Sequence, residues 1–303
     1  MKIVNIIGGL GNQMFQYALA KSLETKFGDA VLVDTSLFDT YNVHNGLEIE
    51  RVFNLKLHRA NECDIRQLTR YTRHYSLWRI YRRILPHKKT VCKERQDGSF
   101  DESVLSLDIS RYYDGYWQNY RYFESCEREI RRLYSFQPFK DNKNIQTAEK
   151  IQSFEHSISI HIRRGDYLKN SIYKGICTIS YYKSAIQFIK QHINSPCHFF
   201  VFSDDIDWCR TNLNQLLNND SYSYVDWNKE KNSYLDMQLM SLCRHNIIAN
   251  SSFSWWAAWL NQHNNNIIVA PYKWQQSNYN NQDRKSTRLN SSHPTTSRMP
   301  SSA

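Results

Sequence analysis

The 303-residue chain is 41% hydrophobic and 22% charged, so it can bury a large core, and its composition excludes disorder along most of its length. Its length predicts two domains, and no stretch reaches the about 18 consecutive apolar residues that a membrane helix needs. The seven cysteines are scattered without a Cys-x-x-Cys pair, which argues against a zinc ribbon or a disulfide scaffold and favours a reducing compartment. The apolar run at the N-terminus is too short for a secretion signal, so we expect a cytoplasmic protein.

The net charge of +10 points to an anionic partner, but the charge is unevenly distributed. Residues 285–303 are dominated by Ser, Thr, Arg and Pro and have no hydrophobic period. They resemble translated vector sequence, or else a disordered tail, and do not enter the fold prediction. The remaining basic excess is concentrated between Arg51 and Arg132, and suits nucleic acid, a membrane surface or a phosphorylated small molecule. Because it forms neither a recognisable nucleic-acid motif nor a continuous stripe, we do not expect nucleic acid as the partner.

The N-terminal segment predicts one βαβ unit. A short apolar run at residues 2–7 stops at a glycine turn, residues 8–11, which is typical of a buried strand entering a turn. Apolar residues then follow a helical period over residues 12–27, Gly28 is a candidate C-cap, and residues 30–34 form a second apolar run. Two strands joined by a helix in this way lie parallel in one sheet.

The middle of the chain has no clear alternation of strands and helices. Helical periodicity is present at residues 65–85 and 121–134, and the polar residues 140–146 are the expected domain boundary. We therefore predict an N-terminal Rossmann-like domain with a helical insertion at residues 1–145. A C-terminal Rossmann-like domain follows at residues 146–284, and the tail occupies residues 285–303.

After this boundary, strands recur about every 20–25 residues, which is the length of one βα step. The predicted strands are 157–162, 198–203, 221–225, 246–249 and 267–270, and the predicted helices are 180–192, 234–244 and 254–262. The alternation indicates a second doubly wound α/β domain, whose ligand lies beyond the carboxyl ends of the strands.

The glycine turn after the first strand partly matches a dinucleotide-binding pattern. Gly9 and Gly11 occupy the first two glycine positions, and Asp34 ends the next strand where a ribose-binding acid is expected. Met14 replaces the third glycine and prevents the same close packing of helix on strand. A nicotinamide-dependent dehydrogenase is therefore disfavoured. The glycines either permit a tight turn or bring the backbone close to phosphate or sugar.

Two adjacent arginines follow the predicted strand at residues 157–162. Guanidinium groups bind phosphate oxygens through paired hydrogen bonds and stay charged at any working pH. Because side chains alternate along a strand, we expect His161 and Arg163 on one side and Arg164 on the other. We interpret Arg163 as a phosphate ligand and the pair Arg164–Asp166 as partly structural. A surface ion pair at a strand end is the alternative.

Carboxylates follow the next strand, at Asp204, Asp205 and Asp207. A carboxylate there can accept hydrogen bonds from a guanine edge or from ribose hydroxyls. Asp205 and Asp207 also resemble an Asp-x-Asp pattern that holds a divalent metal in other enzymes. Ser203 or an aspartate can equally cap the following helix. Asp236, further along the chain, either contacts the ligand or caps its own helix.

Small hydroxyl residues lead from the strand at 246–249 into an aromatic-rich helix. The backbone N–H groups at a helix N-terminus, together with the hydroxyls of Ser252 and Ser254, form an anion site that needs no metal. The three tryptophans of that helix are interpreted as core packing rather than as sugar platforms; they are Trp255, Trp256 and Trp259.

These segments share one edge of the predicted second sheet. A basic strand end, an acidic strand end and a serine-lined helix start together indicate a nucleoside diphosphate as the ligand. The arginines and the helix dipole neutralise the diphosphate, and a carboxylate reads the base or the ribose.

Four segments resemble the bacterial α-1,2-fucosyltransferases of glycosyltransferase family 11. They are residues 8–17, 161–167, 202–205 and 250–259, and they span nearly all of the chain before the tail. The resemblance implies an α/β, GT-B-like fold in which two Rossmann-type domains, with parallel sheets, face a central cleft. It assigns the acceptor to the N-terminal domain and the GDP-sugar to the C-terminal domain.

The resemblance also implies a reaction and its participants. L-Fucose would pass from GDP-β-L-fucose, with inversion, to the 2-OH of a terminal β-galactose on an oligosaccharide, a glycolipid or an O-antigen repeat. No obligatory metal or other cofactor is implied. A membrane-borne acceptor would bring the chain to the inner face of the membrane as a peripheral protein.

The resemblance assigns roles to individual residues of this chain. It places Arg163 on the diphosphate and His161 against the nucleotide. It does not identify the base that deprotonates the acceptor, for which Asp166 is the nearest candidate by its position in the sequence. An ion pair with Arg164 explains Asp166 equally well. The candidates for donor binding are Gly11, Asn12, Arg164, Asp204, Asp205, Ser252, Phe253 and Ser254.

Two alternatives from other classes stay open. A metal-dependent glycosyltransferase would use Asp205 and Asp207 and would lose its turnover in EDTA. A non-catalytic carbohydrate-binding protein, favoured by the 20 tyrosines and 8 tryptophans, would bind sugar without affinity for a nucleotide.

Overall fold

The computed structural model of the chain describes residues 1–276 apart from residues 42, 194, 218 and 219, and the backbone alone at 287–289 and 294–295. Apart from those two backbone segments, the predicted tail at residues 285–303 lies outside the described residues. The chain divides into two compact units, Met1–Gln137 and Pro138–Ala303.

The first unit contains a four-stranded parallel sheet in the order β2-β1-β4-β3. Its elements are β1 (Lys2–Asn5), α1 (Leu10–Phe27), β2 (Leu32–Asp34), α2 (Ile49–Phe53), α3 (Glu62–Leu68), α4 (Tyr75–Ile84), β3 (Val91–Lys93), α5 (Ser103–Ser106), β4 (Arg111–Asp114) and α6 (Glu127–Leu133). Single 3₁₀ turns lie at Ser36–Asp39, Tyr120–Tyr122 and Glu124–Cys126. The predicted βαβ unit is confirmed, because β1 and β2 pair in parallel across α1.

The C-cap Gly28 and two buried glutamines stabilise helix α1. Gly28 ends it in the left-handed conformation at φ 76°, and its N–H donates to the carbonyl of Glu24. Gln13 donates to the carbonyls of Gly8 and Gly46, and Gln16 accepts from the N–H of Ile7. These amides satisfy backbone groups that the turns leave unpaired inside the core.

The second unit contains a seven-stranded sheet in the order β11-β10-β9-β8-β5-β6-β7, parallel except for β11. Its elements are α7 (Asn142–Ser153), β5 (Ser157–Ile162), α8 (Ile179–His192), β6 (His198–Ser203), α9 (Ile206–Leu217), β7 (Ser221–Val225), α10 (Tyr234–Leu242), β8 (His245–Ile247), α11 (Ser252–Leu260), β9 (Ile268–Pro271), β10 (Thr287–Leu289) and β11 (Pro294–Thr295). Further 3₁₀ turns lie at Tyr167–Lys169 and Glu230–Asn232. The predicted α/β class with two parallel sheets is confirmed.

Strand β5 is buried along its whole length and has a helix on each face. Ile158, Ile160 and Ile162 pack into the core that α8 and α9 cover. The alternate residues face the other way, where Ser159 accepts a hydrogen bond from Asn246 and the ring of His161 lies 5.8 Å from that of Phe253 in α11. The chain moves from β5 outward to β7 and then returns to the other side of β5 as β8. The gap between β5 and β8 is therefore the switch point where ligands of such sheets bind.

The boundary between the units lies earlier than the predicted one. Residues 142–153, which include most of the polar segment read as a linker, form α7 of the second unit. The carboxylate of Asp141 caps this helix by accepting from the N–H of Asn144 at 2.9 Å, and Asn144 is itself buried against Asn228. None of the helices within residues 1–276 has both the length and the hydropathy needed to span a bilayer.

Buried neutral histidines make the second unit sensitive to acid. Burial lowers the pKa of His198 to about 4 and that of His245 to about 3. His245 accepts from the N–H of Ile267 at 2.9 Å through Nδ1, so protonation there would break that contact. In the unfolded chain, histidine binds a proton below about pH 6.5.

We therefore predict that the free energy of unfolding falls as the pH drops below about 6.5, by up to about 1.4 kcal/mol per pH unit for each such histidine. Urea denaturation between about pH 7.5 and about pH 5.5 measures this slope. His198→Gln should flatten the slope, and His263→Gln, at an exposed position, should not. Equal slopes in all three proteins would contradict the prediction.

Candidate functional site

Three motifs meet at the carboxyl edge of the second sheet. Strand β5 pairs with β6 on one side, where Ile162 lies opposite Ser203, and with β8 on the other, where Ile160 lies opposite Ile247. The arginines after β5, the aspartates after β6 and the serines after β8 are therefore neighbours. The structure thus brings together the basic, acidic and hydroxyl segments that the sequence predicted for one edge.

Arg163 lies at the centre of this edge and is held on two sides. Its Nη2 pairs with Asp166 Oδ1 at 2.9 Å and its Nη1 with Asp204 Oδ2 at 3.1 Å, while 30% of the side chain remains exposed. Its guanidinium carbon lies 5.7 Å from the centre of the Tyr167 ring. A guanidinium has five N–H donors, so the two ion pairs orient Arg163 and leave donors for an incoming anion.

Asp204 holds the turn that carries the arginines. Its carboxylate accepts from the N–H of Arg164 at 2.8 Å and from the N–H of Gly165 at 3.1 Å, in addition to the ion pair with Arg163. A Cβ on Gly165 would lie 2.9 Å from Asp204 Oδ2, so a larger residue here would displace the carboxylate. Asp204 therefore positions Arg163, and the donor contact that the resemblance implies for Asp204 stays a prediction.

The predicted ion pair between Arg164 and Asp166 is wrong. Asp166 pairs with Arg163, whereas Arg164 Nε pairs with Asp205 Oδ2 at 3.0 Å and its guanidinium lies 4.0 Å from the Trp208 ring centre. The cause is the alternation along the strand, which sends Arg164 to the α9 side and Arg163 to the opposite side. Arg164 is thus engaged by α9, although the resemblance counts it among the donor ligands.

Asp205 caps helix α9. Its Oδ1 accepts from the N–H of Trp208 at 3.2 Å, and its own N–H donates to Ser203 Oγ at 2.9 Å. Asp207 is 94% exposed and lies within 3.8 Å of Arg210. The carboxylates of the Asp-x-Asp segment thus have separate partners, and residues 1–276 contain no group of three or more side chains placed to hold a metal ion.

His161 is a neutral, buried imidazole beside the site. Burial, helped by the charge of Arg163, lowers its pKa to about 3. Its Nδ1 is buried and has no hydrogen-bond partner among the described residues. The His161 imidazole is therefore neutral near neutral pH. The contact with the nucleotide that the resemblance implies for His161 stays a prediction.

Helix α11 begins at the same edge of the sheet as Arg163. Ser251 caps it by accepting from the N–H of Phe253 at 3.3 Å, and Tyr167 donates to the carbonyl of Asn250 at 3.1 Å, which ties the β5 turn to the helix start. Ser252 and Phe253 are half-buried. A nine-residue helix directs its dipole and its first N–H groups toward this edge, which favours an anion there.

Ser254 and the tryptophans of α11 are buried. Ser254 has no exposed surface and its Oγ donates to backbone carbonyls of the preceding turn, and the donor contact expected of its hydroxyl stays a prediction. The interpretation of the tryptophans as core residues is confirmed, since all three are buried and pack on one another.

The predicted residues of the first unit lie at the glycine turn after β1. Gly8 has a φ of +91°, as the tight-turn interpretation requires, and Gly11 is buried inside α1. Asn12 is half-buried and accepts from Gln118 Nε2 at 2.7 Å. Asp34 is not available to a ribose, because it accepts from the Tyr112 hydroxyl at 2.7 Å and from the N–H of Ser36. The donor-binding roles of Gly11 and Asn12 stay predictions.

Asp236 is a titratable group for which the sequence offered two roles, a ligand contact or a helix cap. It lies in the first turn of α10 and accepts from Asn228 Nδ2 at 2.8 Å. Burial, with a smaller contribution from Asp226, raises its pKa to about 7. The signal available from the sequence was an acid in the first turn of a helix after β7, which marks a cap as readily as a ligand contact.

The raised pKa of Asp236 predicts a pH-dependent cost of ionisation. An unfolded aspartate loses its proton near pH 3.9, so stability falls as the pH rises from there toward 7, and the full cost is present above 7. Asp236→Asn should therefore raise the free energy of unfolding by a few kcal/mol at about pH 8 and by little at about pH 4. Urea titrations at both pH values test this, with Asp207→Asn as the exposed control. Equal gains at both pH values would contradict it.

Comparison with known proteins completes the description of the site. A family model described as Glycosyl transferase family 11 matches residues 91–290. Alpha-1,2-colitosyltransferase of Escherichia coli is 32% identical over 280 residues, which cover 90% of this chain and 91% of that protein. O-antigen biosynthesis glycosyltransferase WbnK of Escherichia coli is 30% identical and covers 88% of this chain and 92% of that protein. Among solved structures, fucosyltransferase NodZ from Bradyrhizobium has a TM-score of 0.50 at 14% identity and covers 89% of this chain and 96% of that one. This likeness supports the predicted GT-B-like fold.

Proposed function

The chain belongs to glycosyltransferase family 11, and on that basis we propose that it transfers L-fucose from GDP-β-L-fucose to the 2-OH of a terminal β-galactose. The observation that carries the proposal is Arg163, oriented by two carboxylates beside the start of α11 at the switch point of the second sheet. The α-1,2 linkage in the name of the colitosyltransferase supports the same regiochemistry. The acceptor is an oligosaccharide, a glycolipid or an O-antigen repeat that ends in galactose.

The reaction makes one bond and breaks another. The acceptor oxygen attacks the anomeric carbon of fucose from the face opposite GDP, and the bond from that carbon to the β-phosphate oxygen breaks. GDP leaves with the bonding electrons, and the proton of the attacking hydroxyl passes to a base. Inversion of the β-configured donor gives the α-linked product.

Arg163 and the start of α11 supply the electrostatic part of catalysis. Negative charge builds on the β-phosphate as the bond breaks, and a preorganised guanidinium with helix N–H groups stabilises it where it develops. Because this arrangement neutralises the leaving group, we propose that no metal is obligatory. Asp166, which orients Arg163 through Oδ1, keeps more than half of its side chain exposed and is the base candidate on this edge.

The donor sugar has a second candidate. The 32% identity to a colitosyltransferase favours colitose as the transferred sugar, with the same leaving-group chemistry. Fucose and colitose donors would use the same GDP site, and only the contacts to the transferred sugar would differ.

The experiment that tests the proposal is a transfer assay in excess EDTA. The purified chain is incubated with GDP-fucose and lactose, and the product is examined by NMR for an α-(1→2) linkage. We expect such a product, and we expect none with GDP-mannose as the donor. If the colitose donor alone supports transfer, the second candidate is correct. A need for manganese would overturn the metal-free proposal, and sugar binding without any transfer would favour the carbohydrate-binding alternative.

A further inference from the structure

Helix α4 of the first unit has an inner face that is fully engaged. Trp78 is buried and stacks on Tyr75, with ring centres 5.9 Å apart. Arg82 lies over the Trp78 ring at 5.0 Å, and its Nε pairs with the buried Asp114 Oδ2 at 2.8 Å. These contacts fix the helix to the end of β4, so its opposite face is presented outward in a defined orientation.

The outer face of α4 carries large apolar side chains. Leu77, Ile80 and Ile84 are 43%, 51% and 68% exposed, and Leu85, directly after the helix, is 36% exposed. The spacing of three and seven residues from Leu77 aligns them along one face of the helix. Single exposed apolar residues are common on protein surfaces, whereas several aliphatic side chains exposed side by side indicate an interaction surface.

The surroundings of this ridge are strongly basic. Residues 65–93 contain six arginines, three lysines and no aspartate or glutamate. Arg79 and Arg83, on the helix itself, are exposed, and neither pairs with a carboxylate in the part of the chain that the structure describes. This segment accounts for much of the basic excess between Arg51 and Arg132.

We propose that the outer face of α4 docks on an anionic lipid surface. A helix with an aliphatic ridge flanked by arginines fits the boundary between acyl chains and headgroups, where the ridge is buried and the guanidinium groups reach lipid phosphates. A nucleic acid would use the charge but leave the ridge in water. The proposal rests on this helix alone and goes beyond the proposed function, because it names the surface by which the chain would approach a membrane-borne acceptor.

The test is sedimentation of the purified chain with vesicles of phosphatidylcholine containing phosphatidylglycerol, against vesicles of phosphatidylcholine alone. Two double variants separate the contributions: Ile80→Ser with Ile84→Ser removes the ridge, and Arg79→Gln with Arg83→Gln removes the charge. Matched controls in the same unit are Leu107→Ser with Ile109→Ser, at 42% and 49% exposure, and the exposed pair Arg128→Gln with Arg132→Gln.

We expect binding to the anionic vesicles that falls with added salt, and about a tenfold or greater loss of affinity in each α4 variant. The control variants should bind like the unchanged chain. No binding by the unchanged chain, or an equal loss in the controls, would overturn the proposal. If a second copy of the chain covers the outer face of α4 instead, sedimentation velocity will show a dimer that the ridge variant abolishes. That result would also overturn the proposal.

An assay of transfer to soluble lactose, without vesicles, tests the proposed function independently of lipid binding. The α4 variants should retain that activity, since none of the substituted residues belongs to the GDP site. Vesicle binding without transfer would contradict the proposed function alone, and transfer without vesicle binding would contradict the lipid surface alone.

Discussion

Replacing Arg163 by alanine is expected to lower kcat/KM for fucosyl transfer by about 10²–10³-fold, with most of the loss in kcat. The side chain is a partly exposed cation at the switch point, and its ion pairs with Asp166 and Asp204 orient it. Its loss removes charge stabilisation that is strongest when the bond to the β-phosphate is breaking, so the transition state loses more than the bound donor. Initial rates of GDP release at varied GDP-fucose concentrations measure both constants.

Two further variants make this result interpretable. Arg163→Lys retains the charge but not the paired donors, so it should recover part of the activity. Arg210→Ala is the matched control, since Arg210 is an arginine of the same unit whose ion pairs are with Asp207 and Asp226. It should leave kcat unchanged. If Arg163→Ala keeps more than about a tenth of the kcat of the unchanged chain, Arg163 does not stabilise the leaving group.

Replacing Asp204 by alanine is expected to lower kcat/KM by about 10-fold or more and to destabilise the second unit by about 1–3 kcal/mol. Asp204 accepts from two backbone N–H groups of the β5 turn and from Arg163, so its removal releases both the turn and the guanidinium. Asp204→Asn should be nearly as damaging, because an amide nitrogen would face N–H donors. Urea denaturation together with steady-state kinetics separates the two effects.

Asp207→Ala is the control for this second prediction. Asp207 comes three residues later and is 94% exposed, so the substitution should change neither stability nor activity. It also tests the metal-dependent alternative, in which Asp207 would be a ligand. Full activity of Asp204→Ala would contradict the positioning role, and a large loss in Asp207→Ala would favour the metal site.

The strands of the second unit could be predicted because their sequences are unambiguous. The apolar runs that form β5 and β6 are buried on both faces of a parallel sheet, and their predicted bounds match the structure. Strands β3 and β4 were not predicted, since they are three and four residues long and read Val-Cys-Lys and Arg-Tyr-Tyr-Asp. The start of α7 was predicted as a domain boundary because residues 140–146 are polar. The Asp141 cap and the buried Asn144 and Ile151 stabilise this helix.

The candidate site was predicted in its parts but not in its pairings. Alternation along β5 correctly separated Arg163 from Arg164. The choice of Asp166 as the partner of Arg164 followed closeness in sequence, whereas the structure pairs each arginine with an aspartate that follows the neighbouring strand. That contact joins residues about 40 positions apart and depends on the register between β5 and β6, which no local pattern encodes.

A calorimetric titration of the purified chain with GDP in excess EDTA, with UDP as the control, tests the central claim most directly. The account predicts one metal-independent site with a Kd in the micromolar range, about −8 kcal/mol, and much weaker binding of UDP. It also predicts that Arg163→Ala weakens GDP binding. Equal affinity for UDP, or no GDP binding by a chain that circular dichroism shows to be folded, would contradict the account.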